Sequence, residues 1–126
     1  MNLISCILCC RAAVRSMAGA GGRIVNVAAR PALEWRAGAG MTAYTAGKAG
    51  VAALTAALAE EIVKDGILVN AVAPSIMDTP ANRHAMPKAD FGLWPKVEEV
   101  AATIAFLASP ENLVTRGAIV PVYGKS

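Results

Sequence analysis

Charge and aromatic side chains are scarce in this chain, and each scarcity removes a class of function. Of 126 residues, 17% are charged and 5% aromatic, against 56% hydrophobic and a mean hydropathy of +0.48. The net charge is +3 and the pI about 9.0, but the twelve Lys and Arg are scattered. Two Trp, two Tyr and two Phe leave little on which to stack bases, so no nucleic-acid face is expected. One histidine, His84, and the closely spaced Cys6, Cys9 and Cys10 supply neither a spaced metal-ligand set nor a disulfide framework. Buried free thiols and a solvated loop histidine are the expectation. Long apolar runs are also missing. A membrane span needs about 18–20 consecutive apolar residues, whereas the longest stretches, 3–10 and 51–58, are interrupted by Ser5 and Thr55. In the opening "MNLISCILCCRAAVRSMAG" the arginines follow the apolar part, the reverse of a secretory signal. These absences suggest a cytoplasmic protein with no membrane partner. The length suits one domain spanning 1–126, and so apolar a composition points to a surface that meets another chain.

What is present alternates. Residues 2–18 read as a helix stopped by "GAGG", and "RIVNVAA", 23–29, as a buried strand. "RPALEWRAGAG", 30–40, reads as a flexible loop. An alanine-rich helix is expected over 42–63, with Gly66 as its cap and a Glu60–Lys64 pair on its solvated face. "ILVNAVAP", 67–74, is a second continuous apolar strand, and 75–95, with Pro80, Pro87 and Pro95, a long loop or lid. Val97, Val100, Ile104 and Leu107 give 96–109 a helical apolar stripe. "AIVPVYG", 118–124, is a last strand whose Pro121 suits a sheet edge. The alternation predicts an α/β fold with about three parallel strands and three main helices. A parallel sheet that narrow leaves a long unpaired edge, so the unit reads as half of a larger one.

"MTAYTAGKAG", 41–50, places Tyr44 and Lys48 four positions apart on the first turns of the long helix, hence on one face. An ammonium beside a phenol favours the phenolate, which makes a tyrosine usable for proton transfer. With "GRIVNVAA" before the pair and "GILVNAVAPSIMDT" after it, the chain resembles the C-terminal half of the short-chain dehydrogenase/reductase family. The resemblance covers essentially the whole chain. It implies a partial Rossmann-like, doubly wound sheet of which these are the last three strands, and an oxidoreductase using NAD or NADP.

It also assigns residues. Tyr44 would exchange a proton with the substrate oxygen, Lys48 would assist it and hold the nicotinamide ribose, and Asn2 would support a proton relay. Pro74, Met77 and Thr79 would meet the nicotinamide carboxamide, although Ser75 stands where the family commonly has glycine. The catalytic serine expected after "VNV" is replaced by Ala28 and Ala29, and neither Ser5 nor Ser16 matches its position. The family's glycine-rich phosphate turn is missing. Gly38, Gly40 and Ala43 imitate its spacing, but they follow a loop rather than a strand.

Two functions follow. In the first, the chain is a truncated member that does not catalyse alone. In the second, it is an active oxidoreductase on an alcohol or carbonyl once a longer reading frame or a partner supplies the missing half. Either way a homo-oligomer, a dimer or tetramer, intertwined or not, is expected through the apolar faces of the first two long helices (Ile4, Ile7 and Leu8; Ala53, Ala57 and Leu58). Trp35 and Trp94 flank the substrate positions and are expected to pack loops onto the core or shape the pocket.

Overall fold

A computed structural model describes residues 2–126. Helix α1 (Asn2–Met17) leads into strand β1 (Gly22–Val27), short helix α2 (Arg30–Leu33), long helix α3 (Thr42–Ile62) and strand β2 (Ile67–Pro74). Helix α4 (Pro80–Ala85), helix α5 (Val97–Ala108) and strand β3 (Ile119–Val122) complete the order. The sheet is parallel throughout, in the order β1-β2-β3. The fold is the partial Rossmann-like α/β unit expected.

Strand β2 is central, and its sequence shows it: seven of its eight residues are buried, so nearly every side chain must be apolar or fully paired. Ile67 and Val69 join Ile24 of β1, Cys10 of α1, and Ala59 and Ile62 of α3 in one cluster. Burying a side chain of that size contributes about 1.5–3 kcal/mol. The exception is Asn70, wholly buried, whose Nδ2 donates to Thr115 O (2.8 Å) and whose Oδ1 accepts from Ala118 N (3.0 Å). It ties the approach to β3 onto β2. β3 is an edge strand, and Pro121 lies in it as expected.

Helices α1 and α3 cross closely because α3 presents Gly47 and Gly50 to α1. A Cβ at Gly50 would lie 2.7 Å from Leu3 Cδ2, and one at Gly47 would lie 3.8 Å from Asn2 Cβ. Gly66 caps the region after α3 with φ +73, as its sequence position implies.

Four expectations change. Of the three thiols expected to be buried, Cys10 is, whereas Cys6 is half-buried and Cys9 exposed on another face of α1. Residues 30–40 are not a plain loop: Pro31 lies in the first turn of α2, where its missing N–H costs nothing, and a 3₁₀ turn follows over Trp35–Gly38. Residues 75–95 are likewise structured. Thr79 Oγ1 accepts from Asn82 N (3.1 Å) to cap α4, Asn82 Nδ2 donates to Met77 O (2.8 Å), and Arg83 makes a two-pronged pair with Asp78 (2.6 and 2.8 Å). The Arg83 guanidinium also lies over Phe91, which stacks at a tilt on Trp94. Lastly, Glu60 pairs with Arg116 and not with Lys64. The chain tightens into a 3₁₀ turn at Val63–Asp65, so Lys64 does not continue the α-helical i, i+4 row.

Candidate active site

The C-terminal ends of β1 and β2 open onto one cavity of about 580 Å³. Ala29, directly after β1, and Pro74, the last residue of β2, meet there with Tyr44 of α3, Met77 and Trp94. Ligands of open α/β sheets bind at such strand ends. Tyr44 is 41% exposed, so its ring is presented to the cavity rather than sealed in the core.

Lys48 stands one turn behind it. Its Nζ donates to Val27 O at the end of β1 (2.8 Å) and lies 5.9 Å from the centroid of the Tyr44 ring. The lysine therefore joins helix to strand with its charge on the tyrosine's side. Burial lowers the ammonium's pKa from its ordinary value. Burial, reinforced by Cys10, pushes the Cys6 thiol up to about 11, so it is uncharged near neutrality.

Asn2 begins α1 and sits over Gly47, next to Lys48 in sequence; its carbonyl accepts from Ser5 Oγ (3.3 Å). The helix crossing thus carries Asn2 to the Tyr44–Lys48 turn. Ala28 and Ala29 are 2% and 6% exposed. Ala29 lines the cavity with a methyl group, which donates no hydrogen bond. Ser75 lines it too, but its hydroxyl is engaged with Tyr123 O (3.1 Å) and Ser126 Oγ (2.8 Å). Among the described residues no non-glycine has positive φ, so the backbone at Ser75 does not require glycine.

The structure therefore gathers Tyr44, Pro74 and Met77 around one space, with Lys48 and Asn2 behind the tyrosine. Thr79 is used as the cap of α4. Trp94 lines the cavity, whereas Trp35 is 73% exposed with its Nε1 on Ala32 O (3.2 Å). His84 is exposed on α4. Sequence reasoning missed Arg30, Asn82 and Ser126 as lining residues; Arg30 carried one signal, its place directly after the alanines at the serine position.

The fit to a nicotinamide nucleotide divides in two. The cavity and the lysine suit its nicotinamide end. Its phosphates need glycines whose bare backbone they can approach, and Gly38 does not serve that purpose. It is buried, a Cβ there would overlap Thr45 Oγ1, and Thr45 Cβ would be only 2.9 Å away. Gly40, at φ +84 with open space around its missing side chain, serves the turn into α3. The Gly38–Gly40 spacing is a packing and turn device.

Among the described residues, no helix is long and apolar enough to cross a membrane. The family profile described as enoyl-(acyl carrier protein) reductase matches residues 1–124. The 3-oxoacyl-[acyl-carrier-protein] reductase of Pseudomonas aeruginosa is 38% identical, covering 98% of this chain and 53% of its own length. The crystal structure of acetoin dehydrogenase from Enterobacter cloacae superposes with a TM-score of 0.84 at 35% identity, covering 98% of this chain and 51% of that one. ElxO with NADP bound superposes at 0.83 and 26% identity, covering 98% and 54%. The chain spans about half the length of the relatives it matches. With the three-stranded parallel sheet and the cavity at its strand ends, these matches place the chain in the short-chain dehydrogenase/reductase family.

Proposed function

We propose that the chain carries the proton-transfer half of an NAD(P)-dependent oxidoreductase site and that these 126 residues do not turn over substrate alone. The observation that carries this is the meeting of Tyr44, Pro74 and Met77 in one cavity, with Lys48 bonded to Val27 O behind the tyrosine. Tyr44 exchanges a proton with the substrate's hydroxyl or carbonyl oxygen; Lys48, helped by Asn2, favours its deprotonated form. Lys48 Nζ would hold the nicotinamide ribose, and Pro74, Met77 and Thr79 would border the nicotinamide ring. When bound, that cofactor supplies the hydride. Two features support inactivity of these residues alone. The alanines at the serine position remove one donor to the substrate oxygen, a loss of about 10²–10³ in rate in comparable sites, and among the described residues the nucleotide phosphates find no glycine cradle.

A second reading is supported by the cavity being formed at all: joined to a nucleotide-binding half from a longer frame or a partner chain, the same residues reduce a carbonyl or oxidise an alcohol. Association of copies through α1 and α3 fits either reading, since Ile4, Ile7 and Leu8 are exposed on α1 and Ala53 and Ala57 on α3. Three free thiols suit a reducing cytoplasm. Titration of the purified chain with NADH and NADPH, followed by nucleotide fluorescence, tests the proposal. No binding tighter than about millimolar is expected; tighter binding, or turnover of any ketone, overturns it.

A further inference from the structure

The cavity that holds Tyr44 has apolar walls (Pro31, Met41, Pro74, Ile76, Met77 and Trp94) and one charged lining side chain, Arg30. No acidic side chain lines it. Arg30 directly follows Ala29, and both line the cavity.

The guanidinium is also held. Its Nε donates to Glu34 on the next turn, and its plane lies 4.6 Å from the centroid of the Tyr123 ring. Glu34 takes only the Nε edge. Among the described residues, no hydrogen-bond partner takes either Nη group, which leaves donors in a fixed fork. A cation steadied by ring and carboxylate, with its outer edge free in a cavity of mostly apolar walls, matches a planar anion on an apolar body. The neutral amide of Asn82, which also lines the cavity, adds hydrogen-bonding capacity.

We infer that Arg30 is a specificity-determining residue, whose Nη groups receive the carboxylate of a small oxo- or hydroxycarboxylic acid while the apolar walls hold its carbon chain. This deepens the reading of the cavity as a carbonyl or alcohol site and rests on it for the identity of the reacting group. It does not rest on any nucleotide being bound.

The test is therefore a binding measurement without cofactor. The 126-residue chain is titrated by NMR with 4-oxopentanoate and, separately, with methyl 4-oxopentanoate. The acid is expected to bind about tenfold or more tightly than the ester, the scale of a two-pronged charged pair. Arg30→Met is expected to bring the ratio to about one, and Arg30→Lys to keep part of the preference. Because Arg30→Met also removes the contact with Tyr123 and could unfold the loop, Glu34→Gln provides a second arm. It leaves Arg30 in place without its countercharge and is expected to hold or increase the preference for the acid. Equal binding of acid and ester, no binding of the acid up to its solubility, a preference that survives in a folded Arg30→Met, or a loss of preference in Glu34→Gln overturns the inference. If the acid binds through Arg30 and no reduction of it occurs even with a nucleotide-binding half supplied, the oxidoreductase reading fails while the anion site stands. Reduction of neutral ketones with no preference for acids gives the reverse result.

Discussion

The two ends of β2 serve different purposes. At its N-terminal end, Ile67 and Val69 are wholly buried among residues of α1, β1 and α3, and nothing there is free to meet a ligand. At its C-terminal end, Pro74 and the residues after it share a cavity with an exposed tyrosine and a held guanidinium. One strand of eight residues thus runs from an interior that tolerates no gap to the rim of an open cavity. The difference predicts that substitutions near Ile67 lower stability, whereas those beyond Pro74 change binding and leave the fold in place.

The largest expected effect breaks the sealed end. Ile67→Ala should destabilise the chain by about 2–5 kcal/mol, read by urea unfolding, and any ligand preference should persist in the molecules that remain folded. Asn70→Ala comes next, leaving Ala118 N–H without its acceptor at a cost of about 1–3 kcal/mol, while Thr115 O keeps the amide of Asn112 (3.2 Å). Its thermal transition should fall while the Tyr44 rim still binds. Gly38→Ala forces a methyl against Thr45 and should cost about 1–3 kcal/mol. A substitution there that instead weakened nucleotide binding without lowering stability would make Gly38 a phosphate contact after all.

At the rim the effects shrink. Ala29→Ser adds one hydroxyl at a nearly buried position that borders the cavity and should cost about 1 kcal/mol, yet it supplies the donor that the proposed site lacks. A rise in turnover in any catalytically competent assembly would be the measurement that shows it. The smallest effect is at acid pH. Arg83 holds the Asp78 carboxyl below its ordinary value of 3.8, so this pair's contribution is complete above that value and is lost as pH falls through the lowered one. Both groups are close to solvent, so the loss is minor and screened by salt. Comparing acid melts of the chain with those of Arg83→Gln should show a slightly flatter pH dependence in the variant.

How far this arrangement was legible in the sequence follows the same division. β2 was placed at 67–74, the bounds observed, because burial on both faces forces an uninterrupted apolar run. The α3 helix and Gly66 were legible because propensity and a left-handed cap are local properties. Tyr44, Lys48 and their neighbourhood could be assigned only through a family resemblance, since a Tyr and Lys four apart carry little information alone. The Arg30–Tyr123 contact is invisible in the sequence: the two residues lie 93 positions apart, and the pairing of β1, β2 and β3 brings them together. The α4 cap was a missed local signal, as Thr79 followed by Pro80 is an N-cap with proline in the first turn. The Glu60–Lys64 expectation failed because regular α-helical spacing was assumed across a turn that tightens.

At the foot of the sheet the turns preceding β1 and β2 rest against each other through glycine. A Cβ at Gly21, whose φ is +74, would lie 2.9 Å from Gly66 O, and that same oxygen accepts from Gly22 N (3.2 Å). From this point the two strands run in step, Gly22 beside Ile67 and Val27 beside Val72, about 17 Å farther along. Gly21 and Gly66 act as the keel of the sheet: a methyl group added at Gly21 would tilt or slide one strand against the other, and Val27, which anchors Lys48, would be carried out of line with it.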